Sequence, residues 1–500
     1  MEKLEYLTIC FILFLSLNLS AQLGEIPDAA TWEEKFDAEY ASVLPHIGGN
    51  NDNDEFAWHG HYWLRAYGNM ANYTGDIKWV DLGFELIDYM FTMTDRERWR
   101  SGELSLNDLE YGSAYLDLWQ LHWCQDNSGD DNCAGLTDPP DSVLITISWR
   151  RPHQGVWKVE ALNDGMIIHG MMRFVNSILS DSRFSDYENQ ARAAISKCTE
   201  IAELHVNNYS FTKNATHPLG PGGFYYTRAN QPFASWADPP SDARLYNDGR
   251  PLNHSTTMSA AMLLIDKWDD RPDFRRMADS TLMYFLRSVW EENDAYVWHY
   301  HPRSPNYIED VGHGSVDLSL VTLMWEEGSD LLDDEIMQKF ANVVSNNLWD
   351  GDGDIHEYVD GTGQANGSTN YAIAYDYIDF APWDTTIVDK AEQTLLKHAA
   401  NTSAWSRPML GWSNILRWRK VLEEDAQTTQ VEDPSINLEG DIYPNPTFGR
   451  AYSSIRGPYS IYNSQGMLVE IRDELELSHL PNGLYLIRFS NGAFERLVKR

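Results

Sequence analysis

Residues 63–90 read WLRAYGNMANYTGDIKWVDLGFELIDYM, and the reading of this stretch decides the fold. Its apolar positions recur at intervals of three and four on both sides of Thr74-Gly75-Asp76. That spacing predicts two amphipathic helices joined by a tight turn. The same theme runs from about residue 29 to 421, with helical patterns near 29–44, 57–73, 77–94, 106–122, 164–180, 186–207, 254–268, 273–290, 315–326, 331–348, 370–379, 385–399 and 404–421. The hairpins do not repeat exactly, so a consensus solenoid is not expected. A long series of this kind can close into an α/α toroid of six or seven helical hairpins, and open stacking is the alternative. The fold class expected is therefore mainly α, an α/α toroid followed by a small all-β sandwich domain.

The all-β expectation comes from the end of the chain. After Lys420 the stretch EEDAQTTQVEDPSINLEGD is acidic and polar and reads as a linker. Short alternating runs then follow, YSIYN, MLVEI, LYLIRF and RLVKR, separated by the turns NSQG and PNG. At the other end, MEKLEYLTICFILFLSLNLSAQ has a short polar start, an apolar run and a small-residue exit, as a secretory signal peptide does. The run is short for a membrane span, and no later segment is a transmembrane candidate. The expected domains are 1–22 signal peptide, 23–422 catalytic toroid, 423–437 acidic linker and 438–500 β domain.

Four Cys fit export. Cys10 leaves with the signal, Cys124 and Cys133 bracket a polar loop that a disulfide could close, and Cys198 falls in a helical pattern as a buried thiol. Aromatic residues make up 13% of the chain, with 19 Trp and 26 Tyr. Platforms for sugar rings and a large helical core would both account for them. The formal net charge is −37, while residues 438–500 carry seven basic and seven acidic side chains, so the acid excess belongs to the helical domain. Nucleic acid and anionic membranes are poor partners for such a surface. A polyanionic substrate would need a locally basic lining, for which Arg150, Arg151, Lys158, Arg228, Arg244, Arg250 and Arg303 in the long loops 124–160, 209–252 and their neighbours are candidates.

Chemistry concentrates in two stretches. In PLNHSTTMSAAMLLIDKW, Asn253 and His254 open an amphipathic helix, where an N-cap Asn beside a structural His is the plain alternative. In WHYHPRSPNYIEDVGHGSVD, residues 298–317, His, Arg, Tyr, Glu and Asp crowd twenty positions, with Arg303 lying 49 residues after His254 and Tyr307 four further on. In a hairpin series that interval is about two helices, so both stretches can reach one end. Asn, His, Arg and Tyr together suit β-elimination on a uronic acid. The sugar carboxylate must be neutralised so that the C5 proton becomes acidic. A Tyr near positive charge can take that proton, and a Tyr can protonate the leaving O4.

These residues resemble the α/α-toroid polysaccharide lyases, the alginate and glucuronan lyases, with family 38 of the polysaccharide lyases the nearest guess. The resemblance implies Asn253 and His254 as the Asn-His pair, Arg303 as the Arg and Tyr307 as the catalytic Tyr. The Arg-to-Tyr interval is short here, which leaves Tyr300 or Tyr296 as alternatives for the base. The tail, with IYPNPTFG, IYNSQGMLV and LSHLPNGLYLIRFSNGAFERLVKR, resembles the C-terminal sorting domain of the type IX secretion system of Bacteroidetes. That resemblance implies export in two steps, by the signal peptide and then by the tail, and a place outside the cell or on its surface. A polysaccharide substrate and the secretion machinery are the partners it implies.

Asn163, Tyr300, His301, Glu309, His313, Arg150 and Arg250 are candidates for substrate binding. For Asn163 and Asp164, helix capping is an equal reading, and His313 with Asp317 share a helical face on which packing is the plainer one. No cofactor is required for elimination. Asp350, Asp352 and Asp354 in DGDGDIHEYVDG resemble part of a calcium loop, although Gly361 stands where a full loop has Glu. Two rival classes remain open. One is an inverting glycoside hydrolase, with Glu309 or Asp310 as acid and Asp164, Asp248 or Asp376 as base. The other is a non-catalytic glycan-binding protein.

Overall fold

The computed structural model describes residues 30–37, 51, 54–103, 147–149, 151–153, 156–158, 160–206, 209–212, 222–225, 251–302, 306–398 and 406–429; in the tail it describes 442–443, 452–453, 459–463, 468–472, 477, 480, 483–489 and 494–499. The chain is mainly helical, with small antiparallel sheets. The opening hairpin is α1 (His61–Thr74) and α2 (Ile77–Thr92). Gly75 ends α1 in the left-handed region at φ 75°, and the Asp76 side chain caps α2 by accepting from Lys78 N. Glycine tolerates that backbone at no steric cost and aspartate satisfies an orphan N–H, so the Thr-Gly-Asp signal has a mechanical basis.

The later helices are α3 (Asp95–Arg100), α4 (Ala161–Leu179), α5 (Glu188–Val206), α6 (Leu252–Asp269), α7 (Pro272–Ser288), α8 (Val311–Glu326), α9 (Asp334–Asn342), α10 (Thr386–His398) and α11 (Ser406–Thr429). Five of them pack in sequence, α1 on α4, α4 on α6, α6 on α8, and α11 back on α1, with residues 372–380 lying between α8 and α11. All five run the same way. Gly170 meets His61 while Gly68 meets Ser177, and Gly165 meets Met258 while Trp268 Nε1 donates to Asn176 Oδ1. Thr256 bonds Asp317 and Lys267 pairs with Glu327, while Arg407 covers Tyr62 and Asn69 bonds Asn414. A Cβ at Gly165 would lie 2.8 Å from the Met258 nitrogen, so glycine is what lets α4 and α6 approach so closely.

These five helices carry an apolar core and a buried polar column. Arg65 donates to both oxygens of Asp376, at 2.7 and 3.1 Å, and Ser315 Oγ donates to the same carboxylate at 3.2 Å. The helical residues 30–37 join α11, where Trp32 Nε1 donates to Met409 O at 3.1 Å. Cys198 is a buried thiol on α5, and burial pushes its pKa up.

Two expectations need correction. Residues 370–379 are not an α-helix but short 3₁₀ turns, Ala372–Ala374 and Tyr377–Phe380, broken where Tyr375 takes φ −90°, ψ −108°. Tyr371, Tyr375, Tyr377 and Phe380 are all buried, so the run has no polar face to direct one continuous helix. The boundary at 422 also moves, because α11 continues to Thr429 through Glu, Asp, Ala and Gln with no Gly or Pro to stop it, taking 423–429 from the expected linker. The Asp350–Asp354 stretch forms a hairpin between the strands Trp349–Gly351 and Asp354–Ile355. Gly351, Asp352 and Gly353 all have positive φ, which accounts for the Asp-Gly alternation, and Asp354 is held by Lys397 at 2.8 Å and His398 at 3.0 Å.

In the tail, β1 (Tyr459–Asn463), β2 (Leu468–Arg472), β3 (Gly483–Arg488) and β4 (Phe494–Lys499) form one antiparallel sheet in the order β2-β1-β3-β4. Alternate residues Tyr485, Ile487 and Phe489 are buried in a core of their own with Tyr459, Ile461, Leu477 and Leu497. Among the described residues no helix is long and apolar enough to cross a membrane. The signal-peptide stretch, Cys124 and Cys133 lie outside the described residues.

Candidate functional site

The N-terminal ends of α1, α4, α6, α8 and α11 share one end of the helical assembly, and most of the candidate residues sit there. Pro251 precedes α6, whose first turn carries Asn253 and His254, both buried. The Asn253 amide oxygen and nitrogen have no hydrogen-bond partner. Leaving a buried amide unpaired costs about 1–3 kcal/mol, which makes this side chain a candidate for pairing with a ligand.

The α6 start is tied to the residue 298–309 hairpin. Leu252 N donates to Tyr300 O at 3.2 Å, Tyr300 N donates to Tyr307 O at 2.9 Å, and Glu309 N donates to Trp298 O at 3.0 Å. The Tyr300 backbone therefore runs beside the first turn of α6, which carries Asn253 and His254. Its ring lies 5.3 Å from the His313 ring, which Trp58 also approaches at 6.1 Å. Tyr307 is on the opposite arm and is 66% exposed. His301 is half-buried on the same hairpin, and Tyr296, in the strand Ala295–Trp298, packs on Phe340.

Asp310 caps α8, accepting from Gly312 N and His313 N, and its second oxygen meets His313 Nδ1 at 2.5 Å. Burial alone would lower the His313 pKa, but the hydrogen bond and charge of Asp310 outweigh it and hold it above the usual value. The imidazole beside Tyr300 is thus biased toward its cationic form. Glu309, Asp310 and His313 are also close enough to share a cation.

Beneath them Glu309 is sealed from solvent against Asp317. Burial first, and then the Asp317 charge, push the Glu309 pKa well up; burial raises that of Asp317 to about 7. The pair keeps a proton that the unfolded chain has lost above the ordinary carboxylate range. The folded state then binds more protons, so stability falls as pH rises from that range toward neutrality, by at most about 1.4 kcal/mol per pH unit per proton. Glu309→Gln should flatten this slope, since its amide can donate to Asp317 at every pH; urea midpoints between pH 5 and 8 measure it.

Asn163 serves the fold, accepting from Asn51 Nδ2 at 3.0 Å and donating to Trp149 O at 3.3 Å. Asp164 is held by Ser148 at 2.5 Å and His205 at 2.7 Å. Arg150, Arg250, Arg303 and Asp248 lie outside the described residues. The cation that the sequence reading missed is Arg407, at the start of α11, lying over Trp58 at 5.7 Å and Tyr62 at 5.4 Å. Burial works against its charge, but the phenols of Tyr62, Tyr375 and Tyr371 more than offset that. Ser406 followed by Arg407-Pro408 was a readable helix start. Taken together, the end holds an unpaired amide, three His, a Tyr and a fixed guanidinium, enough to bind a carboxylate and move one proton. Comparisons with protein-family models, with curated proteins and with solved structures give no match.

Proposed function

We propose that the chain is an exported polysaccharide lyase, built as an α/α toroid, that cleaves a uronic-acid-containing glycan of the alginate or glucuronan type by β-elimination. The observation that carries this is the bond from Leu252 N to Tyr300 O, which ties the first turn of α6, with Asn253 and His254, to the backbone of Tyr300, whose ring lies beside His313. The return of α11 onto α1 supports the closed ring. Five helix N-termini facing one end add positive potential, which a polyanion meets in spite of the −37 total.

In this reading Asn253, His254 and Arg407 bind and neutralise the carboxylate, which stabilises the negative charge that develops at C5. Tyr300, ionised beside the His313 cation, takes the C5 proton. The C5–H electrons form the C4–C5 double bond, the C4–O4 bond breaks, and O4 leaves with the proton returned by the Tyr300 phenol. No cofactor enters. The hydrolase alternative has less support, because Glu309 is sealed, Asp376 is engaged by Arg65 and Asp164 by His205.

Alginate, glucuronan, ulvan and pectate incubated with the protein distinguish the classes. A lyase generates ultraviolet absorbance from the conjugated double bond, a hydrolase generates new reducing ends without it, and a binding protein generates neither. The tail sheet has its own core, and its β3 lies by the far end of α8, away from Tyr300. A chain ending at residue 430 should therefore keep its activity and fail to leave the cell, measured by activity in lysate against medium. A soluble, inactive truncation, or normal release without the tail, would contradict the sorting role.

A further inference from the structure

Toward the C-terminal ends of α1, α4, α6 and α8 and beside the middle of α11, opposite the end that carries Asn253 and Tyr300, there is a cavity of about 660 Å³. That is the volume of a small-ligand site. Six cations line it, Arg65, Arg173, Arg183, Lys267, Arg417 and Lys420, against the three carboxylates of Asp181, Glu326 and Asp379. In a chain of charge −37 this is a local reversal of sign.

Four of those cations are engaged by acids. Arg65 pairs with Asp376 at 2.7 Å, Arg183 with Asp181 at 2.5 Å, Lys267 with Glu327 at 2.9 Å, and Arg417 with Asp379. Arg173 and Lys420 differ. The buried Arg173 guanidinium reaches Glu326 and Asp379 only at 3.8 and 3.9 Å, and its Nη2 has no hydrogen-bond partner. Among the described residues, Lys420 stands over the Tyr73 ring at 5.5 Å with no carboxylate in salt-bridge reach. Beside them Asn72 Oδ1 is buried with no donor. The cavity thus offers an unmet donor and a cation for an oxyanion, an unmet acceptor for a hydroxyl, and the rings of Tyr73 and Trp268 for an apolar face. Those are the surfaces of an acidic sugar.

We propose that this cavity is a second glycan site, taking the carboxylate of a uronic acid on Arg173 and Lys420 and one of its hydroxyls on Asn72. The choice of a uronate rests on the proposed lyase reading, while the oxyanion site does not. Leu468, Val469, Gly483 and Tyr485 of the tail complete the wall, so an occupant would touch both parts of the chain.

Calorimetric titration of the full chain with glucuronate and with inorganic phosphate tests this. Glucuronate should still bind His254→Ala, in which the proposed lyase site is weakened, and about tenfold more weakly when Lys420→Glu or Asn72→Ala is added to that background, as expected for one lost hydrogen bond to a charged or buried group. Arg173 is left in place, because removing it strips charge from two buried acids; thermal melts confirm that the two variants fold. Binding lost in His254→Ala but kept in Lys420→Glu, or no binding at all, overturns the proposal. Phosphate binding without glucuronate binding overturns the sugar assignment. Because this readout needs no turnover, it stands apart from failure of the elimination assay.

Discussion

Tyr300→Phe should lower kcat on the cleaved polymer by about 10²–10⁴, the range that positioned proton transfer contributes, with little change in KM. The hydroxyl is the only group removed, and the ring that packs 5.3 Å from His313 remains. Tyr307→Phe should retain most activity, because that side chain is 66% exposed on the outer arm of the hairpin. The reverse pattern would return the base to Tyr307. His313→Ala adds a readout that packing alone would not move. Without the imidazolium the phenol ionises at higher pH, so the acid limb of kcat/KM should shift upward.

Arg65→Met should cost about 3–5 kcal/mol of unfolding free energy, the usual consequence of leaving one charge of a buried pair alone. Asp376 is buried and accepts both Arg65 bonds, so the variant strands a carboxylate with Ser315 as its remaining side-chain donor. Arg65→Met with Asp376→Leu should recover much of the loss, since apolar groups of similar size need no partner. Urea denaturation of the two single variants and the double variant measures the coupling. A single variant as stable as the parent would show that the polar column does not hold these helices together.

Helical periodicity was legible wherever one face was apolar and the other wet, as in residues 63–90. It failed at 371–380, where Tyr371, Tyr377 and Phe380 are buried on every side and no stripe marks the period. The Asn253-His254 pair could be found because a polar pair at a helix start is a local signal. The choice between Tyr300 and Tyr307 was not local, since it depends on which arm of a hairpin faces α6. Arg407 was harder still. It gains its neighbours only when α11 returns to the first helix, a closure seen in the bond between His59 and Ser406, 347 positions apart.

The earliest described helix meets α1 and α2 through Trp63 and Trp79, but its bond from Trp32 to Met409 spans 377 positions, so its surroundings are complete only when the last helix is present. Such long-range closure is entropically expensive and slow. In a nascent chain Trp32, Phe36 and Trp79 can therefore cluster early, while the side that α11 covers stays open until nearly all of the chain has been synthesised. If the chain is exported as proposed, late closure would leave the polypeptide threadable until its last helix arrives.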